Sequence, residues 1–286
     1  MGPRVTLRPD LLLAHDFGAT RHDYSVRDAI LYALGVGLGS DPTDEAELSY
    51  LDESRLAVLP TFAVTLASPG MWIRDPRFDV TFSQLLHSAQ DATFGAPLPA
   101  SGAIVGTARV AAIGDRGEGR GADLVLEREL RSVDGTTLFA TLRQTLLLRG
   151  DGGFGGEPLE RAPQLVPART PDLVTGTRLS RRAALIYRLS GDWNPLHVDP
   201  AFARSAGFDR PIMHGLGTYA TVGITVAKAI GASPLSIRRL ACRFSGVTYP
   251  GDELSISIWT EPGQTIFVAH AGERKVIDQG VLEVSQ

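Results

Sequence analysis

Cysteine is nearly absent: the 286 residues hold one, Cys242. It can close no intrachain disulfide and build no multi-cysteine metal site, which points to a reducing compartment. No apolar run reaches the roughly 18 residues that a membrane-spanning helix needs. The opening MGPRVTLRPDLLLAHDFG offers only LLLA before His15 and Asp16, too short for a secretory leader. Its Met1–Gly2 start matches no convincing acylation pattern. Basic residues are not in excess either, with 28 Lys and Arg against 32 Asp and Glu and a net charge of -4. Nucleic-acid binders carry a basic stripe, whereas these arginines are scattered singly or in pairs. The absences lead us to expect a cytoplasmic protein with no membrane insertion and no nucleic-acid partner. A small anionic ligand, which needs only a few local cations, stays open.

Hydrophobic residues at 43% and charged residues at 21% describe a globular chain. Its length suits one large core or two ordinary ones. Residues 150–176, GDGGFGGEPLERAPQLVPARTPDLVTG, show neither strand nor helix periodicity and read as a connector, most of it loop. The flanking halves, 1–149 and 177–286, share a segment near their starts. SVRDAILYAL at 25–34 aligns with SRRAALIYRL at 180–189, setting Ser25 on Ser180, Tyr32 on Tyr187 and Leu34 on Leu189. A duplication explains both the identities and their placement. Each copy opens on a serine before apolar residues at helical spacing, so each is expected to be a short capped helix.

Both halves then turn to strands. AIVGTARVAAIG, ADLVLERELRS and TTLFATLRQTLLLRG belong to the first; LSIRRLACRFSGV, DELSISIWT, QTIFVAHAG and KVIDQGVLEV belong to the second. Turn residues such as YPGD and EPGQ separate them. Before the strands, VTFSQLLHSAQDATFG and MHGLGTYATVGITVAKAIG space apolar residues three and four apart, so one longer helix is expected in each half. The second is rich in Gly, Ala and Thr, which weakens helix propensity but lets a helix lie close to a sheet. Helices and strands in separate blocks argue for an α+β fold, a helix wrapped by an antiparallel sheet and made twice, and against a dinucleotide-binding unit.

The chemistry concentrates in GDWNPLHVDPAFARSAGFDRPIMHG, residues 191–215. Asn194–Pro195 is turn language, and the proline biases Asn194 away from helical geometry. A stiff turn between Asp192 and His197 can aim both side chains into one space. A carboxylate and an imidazole sharing a water can do acid–base work near neutral pH. The same two residues equally suit a turn cap and a packed core histidine. Asp199 and Pro200 read as the cap and first residue of a helix. No metal ion is expected, because the His197-x-Asp199 stretch has no third ligand beside it. If the long helix starts near Gly215, its free N–H groups face whatever sits there, and His214 is then more a structural residue than a proton carrier.

From Tyr187 to His197 the chain resembles the MaoC-like, or hydratase 2, family of (R)-specific enoyl-CoA hydratases. Tyr187, Leu189, Ser190, Gly191, Asp192, Asn194, Pro195 and His197 carry the resemblance, and Phe202, Ala206, Pro211, His214 and Gly215 continue it. RFSGVTYPGD at 243–252 resembles the family's strand signature, with Gly246 where proline is usual. DVTFSQLLHSAQ, PLPASG and LLLRGDGGFGG resemble the two-repeat members, although Ser88 and Ala89 depart from Leu-His-Gly-Glu-Gln.

The resemblance implies a double hot-dog fold with a non-catalytic first repeat. In the alignment of the halves Asp192 falls on Gly37 and His197 on Pro42, neither able to exchange a proton. It further implies Asp192 and His197 as the catalytic pair, the Gly215 N–H as oxyanion donor, and Asn194 as a loop-shaping or substrate residue. Arg243, with Arg238 and Arg239, is a candidate for the coenzyme A phosphates, and His87 for packing or substrate positioning. Coenzyme A is then part of the substrate and no separate cofactor is expected. A thioesterase or a non-catalytic acyl-CoA binding module are the rival readings, and monomer and homodimer both fit.

Overall fold

The computed structural model describes residues 7–160 and 163–285; the Met1–Gly2 start lies outside them. Ten strands form one antiparallel sheet: β1 (Ala19–Tyr24), β2 (Leu85–Phe94), β3 (Gly102–Asp115), β4 (Ala122–Ser132), β5 (Leu138–Leu148), β6 (Leu173–Arg178), β7 (Ile237–Phe244), β8 (Glu253–Glu261), β9 (Gln264–Ala271) and β10 (Arg274–Val284). Their order is β1-β3-β4-β5-β2-β7-β10-β9-β8-β6. Read inward from either end, the two halves have one topology. The two strands that meet in the middle, β2 and β7, are the second strand of each half, paired from Ala89↔Arg243 to Thr93↔Arg239. The alignment of the halves is therefore structural, and the α+β class is as expected.

The helices are α1 (Pro9–Leu13), α2 (Val26–Gly35), α3 (Glu45–Leu48), α4 (Ala183–Tyr187), α5 (Pro200–Ser205) and α6 (Gly215–Ala229). The repeated segments become α2 and α4, which pack on each other. A Cβ added at Gly35 would lie 3.1 Å from the Tyr187 backbone, a tight contact that glycine avoids. Ser25 caps α2 in a capping box with Asp28. The second copy differs from expectation. Arg182 occupies the cap position of α4 without a side-chain bond, and Ser180 Oγ instead accepts from the Arg182 N–H.

Helix α6 lies against β7 as its small residues allow. A Cβ on Gly223 would come within 2.4 Å of Leu240, and Tyr219 donates to the Leu240 carbonyl at 2.7 Å. The long helix expected in the first half is corrected. VTFSQLLHSAQDATFG forms a 3-10 turn, Phe82–Gln84, followed by β2. The space under that half of the sheet is filled instead by α2 and a 3-10 turn, Pro60–Thr65, which buries Phe62, Ala63 and Val64. Strand β2 pairs with β5 on one side and β7 on the other, and this tertiary demand overrides the local period.

One core runs through both halves, joining Tyr32, Phe62 and Phe94 to Tyr187, Tyr219 and Leu240. Polar ties cross the same seam. Thr221 Oγ1 donates to the Val36 carbonyl at 2.9 Å, and Lys228 of α6 pairs with Glu47 of α3, which also accepts from the Gly39 N–H. The start of the connector is pinned to the first half. Asp151 accepts from the Thr81 N–H and hydroxyl, and Asp115 from the N–H groups of Gly117, Gly153 and Gly155. Strand β6 begins at Leu173, inside the stretch read as connector.

Candidate active site

The loop between α4 and α5 places the first two groups. Gly191, at φ 110°, ends a 3-10 turn and lets the chain reverse. The Asn194 N–H donates to Asp192 Oδ1 at 3.2 Å, which orients the carboxylate. Asn194 Oδ1 accepts from the Leu196 N–H and caps the 3-10 turn Pro195–His197, so its side chain shapes the loop. That turn puts His197 inside, 8% exposed, while the Asp192 side chain stays 47% exposed. His197 Nε2 stands 3.9 Å from Asp192 Oδ2. Asp199 caps α5 through the Ala201 and Phe202 N–H groups, with Pro200 at its first position, as expected.

The proton on His197 follows from its other nitrogen. Nδ1 is 3.0 Å from the Ile212 carbonyl, which can only accept, so Nδ1 carries the hydrogen. Nε2 then offers a lone pair towards Asp192. Burial lowers the His197 pKa, opposed by the Ile212 bond and the Asp192 charge, so the ring is neutral at neutral pH.

His214 is the third member, 1% exposed and stacked on His197 with centroids 3.7 Å apart. Its Nε2 sits 3.3 Å from the Asp192 carbonyl, and its buried Nδ1 has no partner among the described residues. Burial, then the repulsion that His197 would exert in its protonated form, push its pKa down to about 3. The ligand-capable atoms of Asp192, His197 and His214 lie within 4.8 Å of one another, so by composition the trio could hold a metal ion. The third ligand that the His197-x-Asp199 stretch lacks is thus supplied from further along the chain, which corrects the reason for expecting no metal.

His214 is also the N-cap residue of α6, making Gly215 its first residue. Helix geometry provides no acceptor for an N–H in the first turn, and the positive end of the helix is favourable for developing negative charge. Phe244, at the end of β7, lies 3.5 Å from where a Gly215 Cβ would sit. Its ring meets His87 edge-on at 4.9 Å. His87 thereby comes from the first half to the border of the site, its Nε2 on the Ala89 carbonyl at 2.9 Å and its pKa pushed down to about 4 by burial.

The arginines fall out differently. Arg243 is exposed on β7 beside Phe244. Arg239 is held by Asp91 and Glu283, whereas Arg238 donates one hydrogen bond to the Gly95 carbonyl. Arg188 and Trp193, which no motif or spacing in the sequence singles out, stack at 4.5 Å next to Asp192 in the chain.

Residues 163–281 match the MaoC like domain and residues 22–150 the MFE-2 hydratase 2 N-terminal domain. The enoyl-CoA hydratase ChsH3 of Mycobacterium tuberculosis is 35% identical over 279 residues, covering 95% of this chain and 96% of that protein. The 3-hydroxyacyl-thioester dehydratase Y of the same organism is 41% identical over 274 residues, covering 91% and 93%. The crystal structure of a MaoC-like dehydratase from Phytophthora capsici superposes with a TM-score of 0.83 at 26% identity, covering 98% and 99%. A Mycobacterium tuberculosis protein with a double hot-dog fold shares the fold alone, with a TM-score of 0.55 at 12% identity over 94% of each chain. Fold and cluster together define a two-repeat hot-dog protein with a hydratase-type active site acting in fatty-acid and coenzyme A thioester chemistry. The chain belongs to the MaoC-like, hydratase 2 family.

The expected cytoplasmic location is overturned by further relatives. The peroxisomal enoyl-CoA hydratase 2 of Arabidopsis thaliana is 35% identical over 296 residues, covering 96% of this chain and 94% of that protein, and relatives from mouse, Drosophila and yeast are peroxisomal too. Peroxisomal addresses are short receptor-read tags rather than apolar leaders. Composition and the lack of a hydrophobic leader therefore do not separate the two compartments. Among the described residues no helix is long and apolar enough to cross a membrane.

Proposed function

We propose that the protein catalyses the reversible syn hydration of trans-2-enoyl-CoA to (3R)-3-hydroxyacyl-CoA. The observation that carries this is the 3.9 Å gap between Asp192 Oδ2 and His197 Nε2 beside the start of α6. The gap is too long for a direct hydrogen bond and suits a water bridging the two. The thioester carbonyl sits against the Gly215 N–H, which stabilises the enolate-like charge that develops as C3 is attacked. One such donor contributes about 2.7–4 kcal/mol to the barrier. His197 Nε2 accepts a proton from the water as the hydroxyl oxygen bonds to C3. The imidazolium, steadied by Asp192, returns that proton to C2 from the same face. Water is consumed, one C–O and one C–H bond form, and the pair returns to its starting state. The handedness of the product follows from the family resemblance.

The other residues support this pair. Asn194 holds the loop, His214 packs against His197 and ties to the Asp192 backbone, His87 positions substrate through Phe244, and Arg243 faces the coenzyme A side. We assign 173–286, from strand β6 onward, as the catalytic repeat, 150–172 as the connector, and 1–149 as the repeat that accommodates the acyl chain.

The test is crotonyl-CoA, followed by loss of the conjugated absorbance, by free thiol and by chirality of the product. Loss of absorbance with no thiol and a (3R)-hydroxy product is expected. Thiol release identifies a thioesterase, and binding without either change identifies a binding module; both results contradict the proposal.

A further inference from the structure

We propose that Arg188 and Trp193 form a clamp at the mouth of the site for the phosphate-bearing arm of a phosphopantetheine thioester. This rests on the hydration reading, because it names how the substrate of that same site is held. Among the described residues Arg188 forms no ion pair and no side-chain hydrogen bond. Its Nε is nonetheless buried with no partner among those residues, as is the hydroxyl of Ser190 two residues on. A buried cationic donor without an acceptor is costly, and natural chains satisfy such groups with a protein partner, a water or a ligand.

The guanidinium instead lies 4.5 Å from the centre of the Trp193 ring. Trp193 is 57% exposed, a large indole kept in water directly beside Asp192. Trp193 directly follows Asp192, so the stacked cation and ring stand next in the chain to a half-exposed carboxylate. A thioester that reaches Asp192 from there leaves its charged arm at the mouth, because phosphate is expensive to bury. A stacked, planar guanidinium takes phosphate oxygens two at a time, and the indole face covers the arm and holds the guanidinium flat.

The chemistry shared by free coenzyme A and a carrier-bound arm is the 4′-phosphate, so the test compares enoyl-CoA, enoyl-phosphopantetheine and enoyl-pantetheine thioesters of one chain length. With Arg188→Ala, KM is expected to rise about tenfold or more on the two phosphorylated substrates, with kcat held within threefold. On the pantetheine thioester it should shift less than twofold, which also reports a folded enzyme. A loss confined to enoyl-CoA places Arg188 on the nucleotide-side phosphates of coenzyme A and overturns the clamp on the arm. Trp193→Ala should reproduce part of the loss and Trp193→Phe should recover it. An equal penalty on all three substrates, or none on any, overturns the proposal. Equilibrium binding of coenzyme A separates the two ideas if wild type turns over none of the substrates: hydration then fails, while tenfold weaker binding by Arg188→Ala keeps the clamp and unchanged binding removes it.

Discussion

A substitution of Gly215 by proline isolates the backbone donor on which the mechanism leans. Proline has no N–H, and the first position of a helix is where it is best tolerated. The preceding residue, His214, already has φ -60° and ψ 133°, the extended geometry that proline requires of its neighbour. The ring also has room, since a Cβ at 215 would meet Phe244 at 3.5 Å, ordinary contact. Gly215→Pro should therefore fold with a melting temperature near wild type and lose one oxyanion donor. At about 2.7–4 kcal/mol, kcat on crotonyl-CoA should fall roughly 10²–10³-fold. Gly215→Ala carries the same added Cβ but keeps the N–H, and should stay within about fivefold. The assay is initial-rate loss of the conjugated absorbance, with binding of a saturated acyl-CoA measured alongside to detect blocked access. If folded Gly215→Pro retains a rate within threefold of Gly215→Ala while binding is unchanged, the Gly215 N–H is not the oxyanion donor.

Further outcomes follow from groups already described. His87, with its pKa lowered from 6.5 to about 4, is neutral when folded, so stability falls as pH drops from about 6.5, where the unfolded chain takes up a proton, and levels off below about 4. At pH 5 His87 alone accounts for about 2 kcal/mol, and urea melts of His87→Gln should show a correspondingly shallower loss between pH 7 and 5. Lys228→Met leaves Glu47, 9% exposed, without its cation, and should cost about 1–2 kcal/mol in a chemical melt, discounted because Lys228 itself is 40% exposed; Glu47→Gln combined with it should recover most of that. Prolonged chelation should leave the hydration rate unchanged, because the proposed water is held by Asp192 and His197. A rate that falls and returns with a divalent ion would instead assign the Asp192–His197–His214 trio to a metal.

Much of the second half was legible because its physics is local. The strands from β7 to β10 alternate or run apolar between turns, and Asp199–Pro200 is a self-contained helix start. Strand β2 was not legible. Leu85, Leu86, Ala89 and Ala92 imitate a helical period, and a bulge between His87 and Ala89 hides the alternation that resumes at Gln90, Ala92 and Phe94. Edge strands β1 and β6 escaped notice because, exposed along much of their length, they carry little apolar pattern. The Asp192–His197 pair was suggested by the stiff turn between its members. The stacking of His214 on His197, and the arrival of His87 from the other half, depend on long-range packing that no local spacing encodes.

The most direct test of the central claim is the turnover of crotonyl-CoA by Asp192→Asn and His197→Gln, each with its fold verified by melting. A carboxylate and a neutral imidazole acting together on one water predict a loss of about 10²–10⁴-fold in kcat for each variant. Either folded variant retaining more than a tenth of the wild-type rate would contradict that account.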